Sequence, residues 1–194
     1  FDGVKNLPFD VRRKLDFLKQ GIVLPAPDKP GAAEELNLIA TRLQSQYGKG
    51  KGRLDGKPIS GSDIEEAMGV VRDPERLKEM WVSWHDNVGA PMRDDYTRLV
   101  SIANEGAKEL GYGDLGIMWR SNYDMSPDEF VREMDRLWLQ VKPLYDQLHC
   151  YVRTRLSEHY GTNIQPVTGP IRADLLGNMW AQEWGNIYDL VAPA

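Results

Sequence analysis

The chain has 194 residues, 41% hydrophobic and 27% charged, with a net charge of −5. That balance excludes intrinsic disorder and argues against a protein that tracks nucleic-acid phosphates, which needs clustered Lys and Arg to displace counterions. A single cysteine, Cys150, excludes an intrachain disulfide and a thiolate metal cluster. Its setting, LHCYVR, predicts a buried, inert thiol on a helix. The basic run KGKGR at 49–53 is glycine-spaced and reads as a solvated loop. No apolar run reaches the roughly 18 residues that span a bilayer. The start at Phe1 shows neither signal peptide nor initiating Met, as expected where an N-terminus has been removed, and composition leaves localisation open.

Helical spacing dominates from the start. Val11, Leu15, Leu18 and Ile22 form one stripe, broken by LPAPDKPG, and Leu36, Ile39, Leu43 and Tyr47 form the next. The glycine-rich connector that follows can hold a small hairpin around Asp55-Gly56, although no convincing alternating strand is present. Ser62 or Asp63 suits a helix N-cap, with Glu65 and Glu66 in the first turn, and Asp73-Pro74 opens the next helix. Its stripe is Leu77, Met80, Trp81, Trp84 and Val88, and residues 91–110 continue with Leu99, Ala103 and Ala107 as far as Gly111. GYGDLGIMWRSNYDMS reads as a loop or broken helix. Ser126-Pro127-Asp128-Glu129 is a strong helix start, and the stripe Met134, Leu137, Val141, Leu144, Leu148, Val152 and Leu156 carries that helix to Tyr160-Gly161, with a kink expected at Pro143. After Thr168-Gly169-Pro170 a final helix is expected, its stripe running Leu176, Met179 or Trp180, Trp184, Ile187 or Tyr188, and Val191. The fold class expected is all-α.

Motifs for chemistry are sparse. The histidines His85, His149 and His159 lack the i, i+4 partner of a zinc-binding helix, H-E-x-x-H does not occur, and neither a phosphate loop nor G-x-S-x-G appears. What stands out is Gln182, two positions from each of Trp180 and Trp184 and so on a different face of a helix from both. Spacing leaves two readings open: a solvent-facing glutamine, or a neutral amide donor lining a cleft and suited to a carboxylate.

Four strings narrow the choice: SIANEGAKELGYGDLG (101–116), WRSNYD (119–124), KPLYDQLHCYVR (142–153) and GPIRADLLGNMWAQEWGNIYDLV (169–191). Together they resemble the peptidyl-dipeptidase A family, the angiotensin-converting-enzyme-like zinc metallopeptidases, over residues 60 to the end and more weakly back to residue 9, in wording that looks bacterial. The resemblance implies the N-terminal part of a mainly helical, two-lobed zincin-type peptidase with a deep central cleft, which releases dipeptides from the free C-terminus of peptides. It implies zinc held by H-E-x-x-H and a later glutamate downstream of this chain, so that Ala194 falls at a break inside the enzyme and residues 1–194 form a partial peptidase domain, inactive alone. It gives no catalytic or metal-ligating residue in this chain.

By the same carry-over Gln182 matches the glutamine that binds the substrate's terminal carboxylate, and Tyr123 matches a chloride-site tyrosine. Four departures stand out. Trp84-His85-Asp86 replaces the family's W-R-D, so the second chloride site has His85 where an arginine is usual, and it would hold an anion only when protonated. Glu183, beside Gln182, is expected to disfavour acidic C-terminal residues. The Gly61 region stands where some members place a pocket glutamate, and YGKGKGRLDGKP lacks the cysteine of the animal members' disulfide loop. The family implies peptide substrates, zinc and chloride, the remaining C-terminal portion of the same enzyme as partner, and an extracytoplasmic, periplasmic location. The second expectation, from a different class, is a non-catalytic helical binding module derived from that family.

Overall fold

The computed structural model describes residues 6–193, so Phe1 and Ala194 lie outside the described residues. The chain forms two compact units, one of Phe1–Arg42 with Asp94–Leu137 and the other of Leu43–Arg93 with Trp138–Ala194. The elements are α1 (Phe9–Gln20), α2 (Ala32–Lys49), β1 (Lys51–Leu54), β2 (Lys57–Ser60), α3 (Gly61–Val70), α4 (Pro74–Trp84), a π turn (His85–Gly89), α5 (Ala90–Glu109), α6 (Leu115–Arg120), α7 (Pro127–Tyr160) and α8 (Tyr188–Val191). The architecture is mainly helical, as expected, with one small hairpin.

In the first unit, Ala103 and Ala107 of α5 pack with Leu115 and Met118 of α6 against Leu24, Leu110 and Tyr112. The LPAPDKPG linker crosses α5 so closely that a Cβ on Gly106 would lie 2.5 Å from the Pro25 carbonyl oxygen. Two forked ion pairs tie α2 to α5, with Arg42 on Asp95 at 2.5 and 2.6 Å and Arg98 on Glu35 at 2.7 Å. The predicted loop or broken helix resolves into α6, whose first turn is capped by Asp114 accepting from the Ile117 N–H. Ser126 caps α7 reciprocally: its N–H and hydroxyl donate to Glu129, whose N–H donates back to the Ser126 hydroxyl. The stripe predicted for α1 forms a helix but no core, since none of its residues is buried.

In the second unit the hairpin pairs Leu54 with Lys57 across Asp55 and Gly56, whose φ angles of 53° and 73° are the two positive values of a type I′ turn. Of the KGKGR run, Lys49 closes α2 and residues 51–53 are strand rather than loop. Glu79 of α4 accepts from the Asp55 and Gly56 N–H groups at 2.8 and 2.9 Å, and Arg76 forks onto the Asp55 carboxylate. The cap of α3 is Ser60, in a reciprocal box with Asp63, not Ser62 or Asp63 itself; the strand ends so close to the helix that the cap falls two residues earlier. Asp73 and Pro74 open α4 as expected. Ile64, Met68, Leu77, Met80 and Trp84 form the core with Val152 and Leu156 of α7.

α7 contains Pro143 without ending there. Its buried residues are Val152, Leu156 and Ser157, whereas Val141, Leu144 and Leu148 of the predicted stripe are exposed, as are Trp138 and Tyr145. Cys150 is exposed too, contrary to the buried thiol expected. It falls one helical turn from Asp146 and Thr154, on the polar side opposite Val141 and Leu148, so apolar sequence neighbours are not its spatial neighbours.

α7 stops at Gly161, and the connector beyond it is held by the wholly buried Gln165, which accepts from the Arg172 N–H at 2.9 Å and donates to the Pro166 carbonyl. The predicted final helix does not form. Ala173–Leu176 and Gly185–Ile187 are short 3-10 turns, only Tyr188–Val191 is α-helical, and an irregular loop separates them.

Candidate functional site

The sequence of that loop explains its shape. Gly177 follows the first 3-10 turn at φ 75°, and a Cβ there would meet the Asn186 Cβ and the Ile187 Cγ2 at 3.0 Å. The Asn186 amide donates to the Gly177 carbonyl at 2.9 Å, closing the loop at its base. Arg72, in the short connector between α3 and α4, fastens the same base by donating to the Asn186 carbonyl at 2.7 Å and to Asp189 at 3.1 Å.

Inside the loop, the Asn178 side chain accepts from the Trp180 N–H at 2.7 Å, and the Ala181 N–H donates to the Asn178 carbonyl at 3.2 Å. Ala181 has φ 54°, the left-handed region that a residue with a Cβ seldom adopts. The indole Nε1–H of Trp184 donates to the Ala181 carbonyl at 3.0 Å. Each tryptophan is seated on other rings. Trp180 stacks on Tyr47, centroids 6.2 Å apart, and Tyr47 meets the buried Trp84 edge-on at 5.6 Å. Trp184 lies 6.3 Å from Tyr145 and 6.2 Å from His149, both on α7.

Gln182 and Glu183 are the exposed residues between these two anchors, and the Gln182 side chain has no hydrogen bond among the described residues. Chemically the segment offers an amide with free N–H donors, presented from fixed backbone. The helical face argued for Gln182 is not what exposes it; the turn at Ala181 is.

His85 lies beside this segment, its ring 6.1 Å from that of Trp180 and stacked on Trp81 at 3.9 Å. Its Nδ1 is 2.7 Å from the Trp81 carbonyl, which can only accept, so Nδ1 carries the proton and the neutral ring leaves Nε2 as an acceptor. His85 opens the π turn, an irregularity that in helices often marks functional positions. Gly61 has Trp84 against it, where a Cβ would come within 2.7 Å of the indole, so the packing has no room for a side chain. Tyr123 belongs to the first unit, where it is exposed and packs on Phe130 with centroids 4.2 Å apart. Among the described residues no group of three or more His, Cys, Asp or Glu is placed to hold a metal ion, so the residues here do not fit zinc.

Sequence reasoning missed Ala181, Asn178 and the ring seat of Trp184. The available signal was a pair of Gly-Asn dipeptides, 177–178 and 185–186, which favour turns over helix.

The profile of the family described as angiotensin-converting enzyme matches residues 1–194. The angiotensin-converting enzyme-like protein Ace3 of Mus musculus is 38% identical over 161 residues, covering 82% of this chain and 22% of that protein. The angiotensin-converting enzyme of Rattus norvegicus is 40% identical over 166 residues, 84% of this chain and 12% of its own length. That of Haematobia irritans exigua is 36% identical over 191 residues, 95% of this chain and 30% of its own length. The chain thus spans less than a third of these relatives. With the family profile matching from first residue to last, this chain belongs to the angiotensin-converting enzyme family.

Proposed function

We propose that the chain is part of a zinc-dependent dipeptidyl carboxypeptidase, supplying one wall of a peptide-binding cleft and the amide that receives the substrate's terminal carboxylate. The observation that carries this reading is Gln182, exposed and without a side-chain partner among the described residues, on a loop fastened at Trp180 and Trp184 within the family match. An enzyme that releases dipeptides must measure from the chain end, and a fixed donor for the carboxylate sets how far the scissile bond lies from the reacting group. A neutral amide serves because the anion needs donors, while further cationic contacts come from the rest of the protein.

Zinc, which polarises the scissile carbonyl and activates water, is assigned to residues outside this chain, and the isolated chain is inactive on this reading. The exposed apolar stripe of α7, with Trp138, Val141, Leu144 and Leu148, supports a further portion of the same enzyme as its cover. Chloride is assigned to Tyr123. At His85, whose Nδ1 faces the Trp81 carbonyl, only the protonated ring offers an anion an Nε2–H. The resemblance carries with it a bacterial, periplasmic setting; no helix among the described residues is long and apolar enough to cross a membrane.

The test is kinetic. In the complete zinc-loaded enzyme, Gln182→Ala raises KM by about tenfold or more with kcat little changed, as expected for a lost hydrogen bond to a charged group. An unchanged KM removes Gln182 from the clamp. Glu183→Gln improves cleavage of peptides ending in Asp relative to Arg by a few-fold, as for an exposed like-charge pair; an unaltered ratio removes Glu183 from the pocket. Stoichiometric zinc binding by the 194-residue chain would contradict the assignment of the metal elsewhere.

A further inference from the structure

We propose that Trp184 and Ala181 are positioning residues for Gln182, fixing the peptide plane from which the glutamine projects. The inference rests on the reading of Gln182 as the carboxylate donor. The plane between Ala181 and Gln182 is defined by the Ala181 carbonyl and the Gln182 N–H, and the Trp184 indole donates to that carbonyl at 3.0 Å. On the preceding side, the Ala181 N–H is held by the Asn178 carbonyl at 3.2 Å and the Trp180 N–H by the Asn178 side chain at 2.7 Å. Both dihedrals of Ala181 are therefore locked from outside the residue.

The lock is needed because the conformation is not one Ala181 would choose. A φ of 54° is costly for a residue with a Cβ and persists where surrounding contacts over-determine it. Relaxation to negative φ would swing the next residue's Cα–Cβ bond away from its present direction. Gln182 adds no restraint of its own, since its side chain has no partner among the described residues. Its direction is thus inherited from residue 181, and residue 181 is held by an indole that itself lies near the rings of Tyr145 and His149. In this account the second tryptophan of WAQEW is kept for its N–H as much as for its apolar area.

The Trp184→Phe variant separates the two roles, because phenylalanine keeps an aromatic ring and loses the donor. In the complete zinc-loaded enzyme we expect Trp184→Phe to raise KM by about threefold to tenfold, the worth of one hydrogen bond, with kcat nearly constant. The same change placed on Gln182→Ala should add nothing further, since no amide remains to be aimed. A second readout is direct: binding of a non-cleavable peptide and its C-terminal carboxamide by calorimetry, in which Trp184→Phe narrows the preference for the free acid. Ala181→Val and Ala181→Gly give the same test by another route, glycine accepting the positive φ and valine opposing it, so valine raises KM and glycine does not.

If Gln182→Ala raises KM but Trp184→Phe does not, or if their effects multiply independently, the positioning role is overturned while the clamp stands. If Gln182→Ala leaves KM and the acid preference unchanged, both fall together. Should Trp184→Phe fail to melt cooperatively, the valine and glycine pair decides, and equal KM values for those two overturn the proposal.

Discussion

The stretch from β1 to α4 and the segment from Ala173 to Val191 contribute to one hydrophobic core, yet they reach it by opposite routes. In the first, each element is regular and the boundaries carry the specificity: a type I′ turn at Asp55-Gly56, a reciprocal cap at Ser60 and Asp63, and Asp73 with Pro74 opening α4. In the second, nearly every residue is a boundary. Buried Leu175, Leu176, Met179 and Ile187 alternate with turns, so the apolar side chains are delivered by bends. Regular elements bury area while satisfying their own backbone groups. An irregular loop must find partners for those groups one at a time, and here Asn178, Trp184, Asn186 and Arg72 supply them. The lesson is that exposing one amide between two ring-seated tryptophans requires this second kind of structure, since a helix would have placed Gln182 by its pitch alone.

The contrast can be broken at its most sensitive point. Gly177→Ala adds a Cβ at φ 75° and 3.0 Å from two side-chain carbons, and should lower the unfolding free energy by about 1–3 kcal/mol, read from the denaturant midpoint. A midpoint equal to that of the wild type would mean that the loop base yields freely. A smaller loss, about 1 kcal/mol, is expected for Ser60→Ala, which removes a helix cap from the regular stretch.

That second loss should depend on pH. The Ser60 hydroxyl, and then its backbone N–H, hold the Asp63 carboxyl below the ordinary carboxylate range. A group whose folded value is depressed stabilises fully above its unfolded value and loses that contribution as pH falls through the folded one. The gap in melting temperature between wild type and Ser60→Ala should therefore be full near neutrality and narrow in acid, where only the bond from the Asp63 N–H to the Ser60 hydroxyl is left to lose. A gap that widens in acid would refute the assignment. The smallest effect belongs to Arg76→Ala, whose fork on Asp55 is solvent-exposed; at most a slight loss, vanishing in high salt, is expected in the same melting experiment.

Legibility in the sequence followed the same division. The stripes of α2, α4 and α5, the opening of α4 and of α7, and the Asp55-Gly56 hairpin were readable because each rests on a local preference that tertiary contacts reinforce. The apolar spacing of 176–191 imitated a helix because short 3-10 turns also bring residues three apart to one side, and only the two glycines followed by asparagine signalled otherwise. At the site, Gln182 was found by resemblance and not by physics, and Ala181 was invisible because no local propensity places alanine at positive φ. Cys150 was misjudged from its neighbours in sequence, since Leu148 and Tyr151 flank it while its own direction points to the polar side of α7.

That misjudged cysteine has a practical consequence. A lone thiol on the side of α7 away from Val141 and Leu148 gives these 194 residues a single attachment point for a nitroxide or fluorophore. Its label would sit clear of the apolar stripe, so docking of another protein segment onto that stripe becomes measurable as a distance from a reporter that the docking itself does not touch.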